Sequence, residues 1–289
     1  MRHPTLSVVL ATLNEEANIS ACLKSVQGLA SEIIVCDESS TDKTRVIAKD
    51  LGARVFKVPH ADIFHITKNK AIAKATGDWI LQLDADERLT PGLKREIKSL
   101  LQGSSFGYSH YLTPTKRLLN RFLPLFPPPH KLTAPASAYY LPRKNWFLTR
   151  YLTHTGQYPD PVIRLFQRGQ AILPAKDVHE QMRVDGVIGW MAGDLDHYAT
   201  PTFSRYLLRE NRYSSLHATD LFNQGLRPGL VNTVKYLLLL PTSTFLSLYI
   251  RHRGFLDGFP GFVFSLFSGL HHSLSYLKLW SKLQNHDAN

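Results

Sequence analysis

Through the first hundred positions, short apolar runs alternate with amphipathic stretches, a rhythm that predicts strands separated by helices. Ser7–Ala11 (SVVLA) reads as a buried strand. Asn14 reads as a helix N-cap, with Glu15 and Glu16 in a first turn where the helix dipole favours acids. Ile19, Leu23 and Val26 give that helix its apolar face. Glu32–Cys36 is a second strand, and the helix after Asp42 runs through Ala48 and stops near Gly52. Arg54–Val58 is a third strand, Ile66–Thr76 a short helix closed by Gly77, and Trp79–Leu83 a fourth strand. Thr90 and Pro91 fit N-cap and first position of a helix with Leu93, Ile97, Leu100 and Leu101 inward and Gly103 past its end.

Beyond Ser104 the rhythm changes. Phe106–Thr113 reads as a strand, and the Pro-, aromatic- and cation-rich remainder up to Asp160 has few regular periods. A loop of that length and aromatic content suits substrate binding. Strands resume at Val162–Phe166 and around Val178–Val184. Phe203–Leu221 reads as a helix with Arg205, Arg209 and Arg212 as a basic stripe, which is also what an ordinary solvated face looks like. Two uncharged apolar stretches follow, Tyr236–Ile250, interrupted by Pro241, and Gly258–Leu277. A membrane span needs about 20 predominantly apolar residues. The first stretch is short for that, and the second is diluted by polar residues. With Lys235, Arg251, Arg253, Lys278 and Lys282 around them, they read as a helical hairpin lying in the cytoplasmic leaflet. A buried dimer interface and a true span are the competing readings.

Strands and helices at this spacing imply βαβ units and an α/β fold with a mainly parallel sheet. The expected organisation is one α/β domain over residues 1–200, with 104–160 as its substrate loop region, and a helical, membrane-associating region over 201–289. In such sheets ligands bind beyond the carboxyl ends of the strands. Three polar clusters fall there: Thr12–Glu16, Asp37–Asp42 and Asp84–Glu87.

Charge sharpens this picture. The net charge of +11 is uneven: residues 1–103 hold 14 Lys and Arg against 13 Asp and Glu, whereas residues 104–289 hold 20 against 10. A basic second half points to an anionic partner. Nucleic acid is disfavoured, because the cations are mixed with long apolar runs and no nucleic-acid motif is present. The two cysteines, Cys22 and Cys36, form no CxxC or His/Cys cluster and read as reduced core residues. The chain enters a strand at Leu6 without a signal-type segment, so a cytoplasmic location is expected.

The acids Asp84-Ala85-Asp86-Glu87 follow directly on an apolar strand. If the extended backbone persists, Asp84 and Asp86 lie on one side. Crowded carboxylates repel each other, and a divalent cation shared with a substrate phosphate is a natural remedy; oxygen ligands suit Mg²⁺ or Mn²⁺. A solvated acidic turn is the plainer alternative.

Taken in order, Ala11-Thr12-Leu13-Asn14-Glu15-Glu16, Cys36-Asp37-Glu38-Ser39-Ser40-Thr41-Asp42, Lys68-Asn69-Lys70, Gly77-Asp78-Trp79 and Asp84-Ala85-Asp86 resemble family 2 glycosyltransferases of the GT-A fold. Val162-Ile163-Arg164-Leu165-Phe166, Val178-His179-Glu180 and Gly254-Phe255-Leu256-Asp257-Gly258 resemble the branch holding lipopolysaccharide inner-core β-1,4-glucosyltransferases. The resemblance implies a Rossmann-like sheet and inverting transfer from a nucleotide-sugar donor, UDP-glucose first among candidates. The implied acceptor is a glycolipid or phosphorylated saccharide, and anionic inner-leaflet lipids would be further partners. A polyprenyl phosphate or another surface glycan is an alternative acceptor, and a non-catalytic membrane scaffold an alternative class. By the same resemblance Thr12, Asn14, Glu15, Asp37, Lys68, Asn69, Asp84 and Arg164 would bind donor, with Asp37 accepting from the uracil ring. Asp86 and His179 would hold the metal and Glu180 would be the base. Glu87 reads as a mere neighbour. His179 as base is the rival assignment, since neutral imidazole also accepts a proton, and His197 is a further candidate for the diphosphate.

Overall fold

The computed structural model describes residues 3–61, 63–103, 136–174 and 181–287. The expected strand Phe106–Thr113, the Pro-rich stretch around Leu123–Pro129, and His179 and Glu180 lie outside the described residues. The chain divides into two units: residues 1–143 with 160–197, and residues 144–159 with 198–289.

The first unit is built around β1 (Leu6–Thr12), buried along its whole length. Parallel neighbours flank it: β2 (Glu32–Asp37), with Thr12 opposite Asp37, and β4 (Trp79–Leu83), with Leu10 opposite Leu83. β3 (Arg54–Lys57) extends the sheet parallel to β2. Beyond β4 the direction reverses: β8 (Asp160–Gln167) runs antiparallel to β4, and β6 (Ala138–Phe147) antiparallel to β8. The sheet is therefore mixed, with a parallel Rossmann-like half. A short β5 (Glu87–Leu89) pairs antiparallel with β9 (Leu195–Thr200).

Both faces of β1 are covered, which is why it reads as an unbroken apolar run. Leu6, Val8 and Leu10 pack with Leu23 of α1 (Ile19–Val26) and with Leu93 and Ile97 of α4 (Pro91–Leu101). Val9 turns the other way, into Ile34, Ile80, Phe166 and Ala71 of α3 (Phe64–Ile72). Helix α2 (Thr44–Asp50) ends before Gly52, whose φ of +84° suits the expected C′ residue. Thr90 caps α4 as expected, its Oγ1 accepting from Leu93 N at 3.3 Å, with Pro91 at the first position. Cys22 and Cys36 are buried and unbridged.

Three local expectations change. Helix α1 starts at Ile19, not after Asn14, which sits in the left-handed region at φ 55°. Residues 138–152, read as loop, hold β6 and β7 (Arg150–Leu152): their aromatics bury too few positions per face for a clean alternation. The strand at Trp79 stops at Leu83, and Asp84–Asp86 turn into β5.

In the second unit, Thr202 Oγ1 accepts from Arg205 N at 3.2 Å and caps a basic helix, Phe203–Asn223. A 22-residue helix, Leu230–Arg251, follows. It runs through Pro241, with π-helical turns at Lys235–Leu239 before it and Ser247–Arg251 after it. A 3₁₀ turn, Gly254–Asp257, leads into the final helix, Gly258–Asp287. Asp257 is fully buried and fastens the turn. Its carboxylate accepts from Thr153 N at 3.4 Å and His154 N at 2.8 Å, and pairs with His154 Nδ1 at 3.0 Å.

Candidate active site

The carboxyl ends of β1 and β2 are tied together by side chains bonding to backbone. Asn14 N donates to Ser40 Oγ (2.8 Å), Glu15 N to Thr44 Oγ1 (2.7 Å), and Glu16 N to Asp42 Oδ2 (3.0 Å). In return Asn14 Oδ1 accepts from Thr41 N (2.9 Å), and Glu16 Oε2 from Lys43 N (2.9 Å). Ser, Thr, Asn and Asp suit this work because their short polar arms reach backbone groups that no ladder satisfies. Asp37 is the knot. Fully buried, it accepts from Thr12 Oγ1 at 2.9 Å, from Ser40 Oγ at 2.6 Å and from Ser40 N at 2.8 Å, with Arg45 Nε at 3.5 Å. Asp37 and Thr12 thus organise the loops at the carboxyl ends of β1 and β2. Beside them Glu38 pairs with His60 Nδ1 at 2.6 Å through Oε2, while its Oε1 is buried with no hydrogen-bond partner.

At the end of β4 the acids separate. Asp84 is clamped between two cations. Lys68 Nζ lies 2.5 Å from Oδ1, and Arg164 Nη2 lies 2.6 Å from Oδ2. Burial alone would raise the Asp84 carboxyl, but Arg164 and then Lys68 outweigh it and hold it well below the usual carboxylate range. Asp86 turns instead to His197 on β9, with Oδ2 3.4 Å from Nε2. Burial pushes Asp86 up, and His197 brings it below its ordinary value.

Glu87 is more than a neighbour. It is fully buried and accepts from Arg164 Nε at 3.1 Å and Nη2 at 2.9 Å, from Asp84 N at 3.1 Å, and from Arg143 Nη1 at 3.4 Å. Arg164 completes its set on Gln82 Oε1 at 2.7 Å. Burial would lower the Arg164 guanidinium, but Asp84 and Glu87 raise it. Arg143 also forks onto Asp160 Oδ2 through Nε (2.9 Å) and Nη2 (2.6 Å).

Lys68, Asp84, Arg143, Asp160 and Arg164 line a polar cleft of about 330 Å³, with His65 and Tyr140 at its wall. That volume is within the range of small-ligand sites. Three cations in a confined space can hold a polyanion and stabilise charge building on a leaving group. Asp86 and His197 offer one carboxylate oxygen and one imidazole nitrogen close enough to serve a single ion. Mg²⁺ and Mn²⁺ are commonly held by few protein ligands, with substrate phosphate and water completing the shell. Among the described residues no cluster of three or more His, Cys, Asp or Glu is arranged to hold a metal alone. The donor set therefore fits a cation shared with substrate.

Of the residues predicted from sequence, the structure gathers Lys68, Asp84 and Arg164 in one cluster, sets Asp86 beside it in sequence but on His197, and places Thr12, Asn14, Glu15 and Asp37 in the loop clasp. Asn69 is elsewhere: Nδ2 donates to Leu173 O at 2.7 Å and Oδ1 accepts from Leu173 N at 3.3 Å, so it braces backbone rather than facing the cleft. Gln82, Glu87, Arg143 and Asp160 were missed. Gln82 carried a signal, since an amide inside an apolar strand requires a buried partner.

Residues 7–134 match the family model described as Glycosyl transferase family 2. A TPR repeat-containing protein of Synechococcus elongatus is 31% identical over 87% of this chain, which spans 63% of that relative's length. An uncharacterized glycosyltransferase of Rickettsia bellii is 29% identical over 95% of this chain and 85% of its own. The lipopolysaccharide core biosynthesis glycosyltransferase LpsC of Rhizobium meliloti is 26% identical over 96% of this chain and 92% of its own.

Proposed function

We propose that this chain, whose residues 7–134 match the family 2 glycosyltransferase model, moves a sugar from a nucleotide-sugar donor to a cell-envelope glycolipid. In this reading the donor is UDP-glucose, the acceptor a lipopolysaccharide inner-core saccharide, and the transfer inverting. The observation that carries it is Asp84 clamped by Lys68 and Arg164, beside the Asp86–His197 pair, at the carboxyl end of β4.

Lys68, Arg143 and Arg164 supply fixed positive charge to a diphosphate in the cleft. Asp84 and Glu87 hold Arg164 in place, and because Asp84 is spoken for by cations it stays ionised. Asp86 and His197, with His179 as a third candidate, would hold a divalent cation, whose chemistry is to neutralise charge on the departing diphosphate. Glu180 is the proposed base, taking the proton of the acceptor hydroxyl as it attacks the anomeric carbon from the face opposite the leaving group. The loop clasp of Thr12, Asn14, Glu15 and Asp37 forms the floor on which the nucleoside rests. The acceptor's lipid would keep the protein at the cytoplasmic face of a membrane.

Donor hydrolysis and transfer to inner-core fragments test this. Asp86→Ala is expected to abolish metal-dependent transfer, and Glu180→Gln to cut turnover while donor binding persists. Turnover near wild type in Glu180→Gln would remove Glu180 as the base, and no thermal stabilisation by any nucleotide sugar with Mn²⁺ would sink the whole proposal.

A further inference from the structure

The helix Leu230–Arg251 wears its polarity inside out. Two of its hydroxyls turn to the final helix: Thr233 Oγ1 bonds Tyr276 OH at 3.0 Å, and Thr244 Oγ1 bonds His272 Nε2 at 3.2 Å. Tyr236 stacks on Tyr276, and Pro241 O sits where a Cβ on Gly269 would have to go. The side left open is mainly apolar, with Thr242 and Ser243 the exposed polar exceptions at its middle. Leu230 is 83% exposed, Leu238 61% and Ile250 56%, with Val231, Val234, Leu239 and Leu246 also out. A surface helix in water shows the reverse arrangement. Positions 230, 234, 238, 242, 246 and 250 share this side because the alternation of α- and π-turns brings four residues close to a full turn.

Charge says what covers it. From Leu221 to His286 the chain has six Lys and Arg (Arg227, Lys235, Arg251, Arg253, Lys278, Lys282) and one acid, Asp257, which is buried. Arg227, Lys235, Arg251 and Arg253 are all exposed, at or near the ends of the apolar side. Such a face is complementary to an apolar layer bordered by anions.

Length does not decide how it sits, since 22 residues make a helix of about 33 Å, enough to cross. Its neighbours decide. The final helix is flanked by the basic helix along residues 267–282: Phe203 meets Phe267, Glu210 pairs with His271, Lys278 Nζ bonds Asn211 Oδ1, and Lys282 Nζ bonds Thr219 Oγ1. That helix exposes Arg205, Arg212 and Asp220. A hairpin crossing the bilayer would carry those charges into hydrocarbon, at several kcal/mol each. Thr242 and Ser243, exposed halfway along the apolar side, would meet the bilayer centre in a span but only the headgroup boundary in a shallow seat.

We propose that Leu230–Arg251 lies in the plane of an anionic leaflet, its side of Leu230, Val234, Leu238, Leu246 and Ile250 sunk to the acyl boundary and its cations on lipid phosphates. This deepens the membrane part of the proposed function and rests on it, while using nothing of the transfer chemistry. The test uses the full chain and phosphatidylcholine vesicles with and without phosphatidylglycerol. Cys22 and Cys36 are buried, so single cysteines at Val234, Leu238, Thr242, Leu246 and Ile250 take a spin label selectively. Binding is expected only with phosphatidylglycerol, falling with salt, and all five labels at one shallow depth, about 5–10 Å below the headgroups. Leu238→Glu with Leu246→Glu should weaken binding at least about tenfold with unfolding unchanged. Depth peaking at Thr242 with shallow ends would mean a span and overturn the proposal. Failure to bind vesicles, with a doubled mass in solution, would assign the face to a second copy instead. Donor hydrolysis without vesicles reports separately on the catalytic reading.

Discussion

Replacing Glu87 with Gln keeps the volume of the side chain and removes one charge at the point where the site is anchored. In the wild type, the fully buried Glu87 receives Arg164 Nε and Nη2, Arg143 Nη1 and the Asp84 amide. A glutamine retains one acceptor oxygen and turns an NH₂ toward groups that are themselves donors. Removing one partner of a buried ion pair costs about 3–5 kcal/mol. Asp84 stays 2.6 Å from Arg164 Nη2, so part of the counter-charge survives and the low end, about 3 kcal/mol, applies. At about 2–4 °C per kcal/mol for a unit of this size, Glu87→Gln should lower the melting temperature by about 6–12 °C. Circular dichroism melts of wild type, Glu87→Gln, Arg164→Met and the double variant complete a cycle. The double variant should cost less than the sum of the singles by about 1–3 kcal/mol, because neither charge is then left alone. A drop below about 3 °C, or plain additivity, would refute the anchoring role.

Other outcomes follow from the same geometry. Asp84 has a depressed pKa in the folded chain, so its contribution is complete above about pH 4, the unfolded carboxyl value, and is lost as pH falls from there towards the folded value. The melting-temperature gap between wild type and Asp84→Asn should therefore be constant from pH 7 to pH 5 and shrink below about pH 4; a gap that widens with acid would contradict it. Gly193→Ala would set a Cβ 2.4 Å from Leu93 N and Cα, backbone that cannot give way, so the urea midpoint should fall by the equivalent of about 3 kcal/mol with an unchanged slope. Asp257→Ala strips the buried acceptor of Thr153 and His154 and should cost about 3 kcal/mol by the same measurement, whereas Phe259→Ala, on an exposed ring nearby in sequence, should cost under about 0.5 kcal/mol.

Much of the first unit was legible from its residues. Buried parallel strands announce themselves as Val- and Ile-rich runs, and Thr90-Pro91 and Gly52 mark helix ends through local backbone chemistry. So β1, β2, β4, α2 and α4 fall where periodicity puts them, and the acids after β4 fall at a carboxyl end. Asn14 misled for a local reason as well: its amide suits a cap, but in the fold that oxygen is taken by Thr41 N across the clasp. The strands at 138–152 were hidden because their half-buried aromatics and cations give no clean period of two.

The assignment of partners was another matter. Asp84 and Asp86 were visible as a pair, yet in the fold they serve different groups. Asp84 meets Arg164, 80 positions away, and Asp86 meets His197 on a strand that arrives only after the sheet has reversed direction. Glu87 looked incidental because nothing nearby in sequence needs it, and it became the anchor once β6 and β8 brought Arg143 and Arg164 over it. Apolar periodicity is a property of neighbouring residues and can be read in a line. The ownership of a buried charge depends on which distant cation the topology delivers, and only the folded chain decides that.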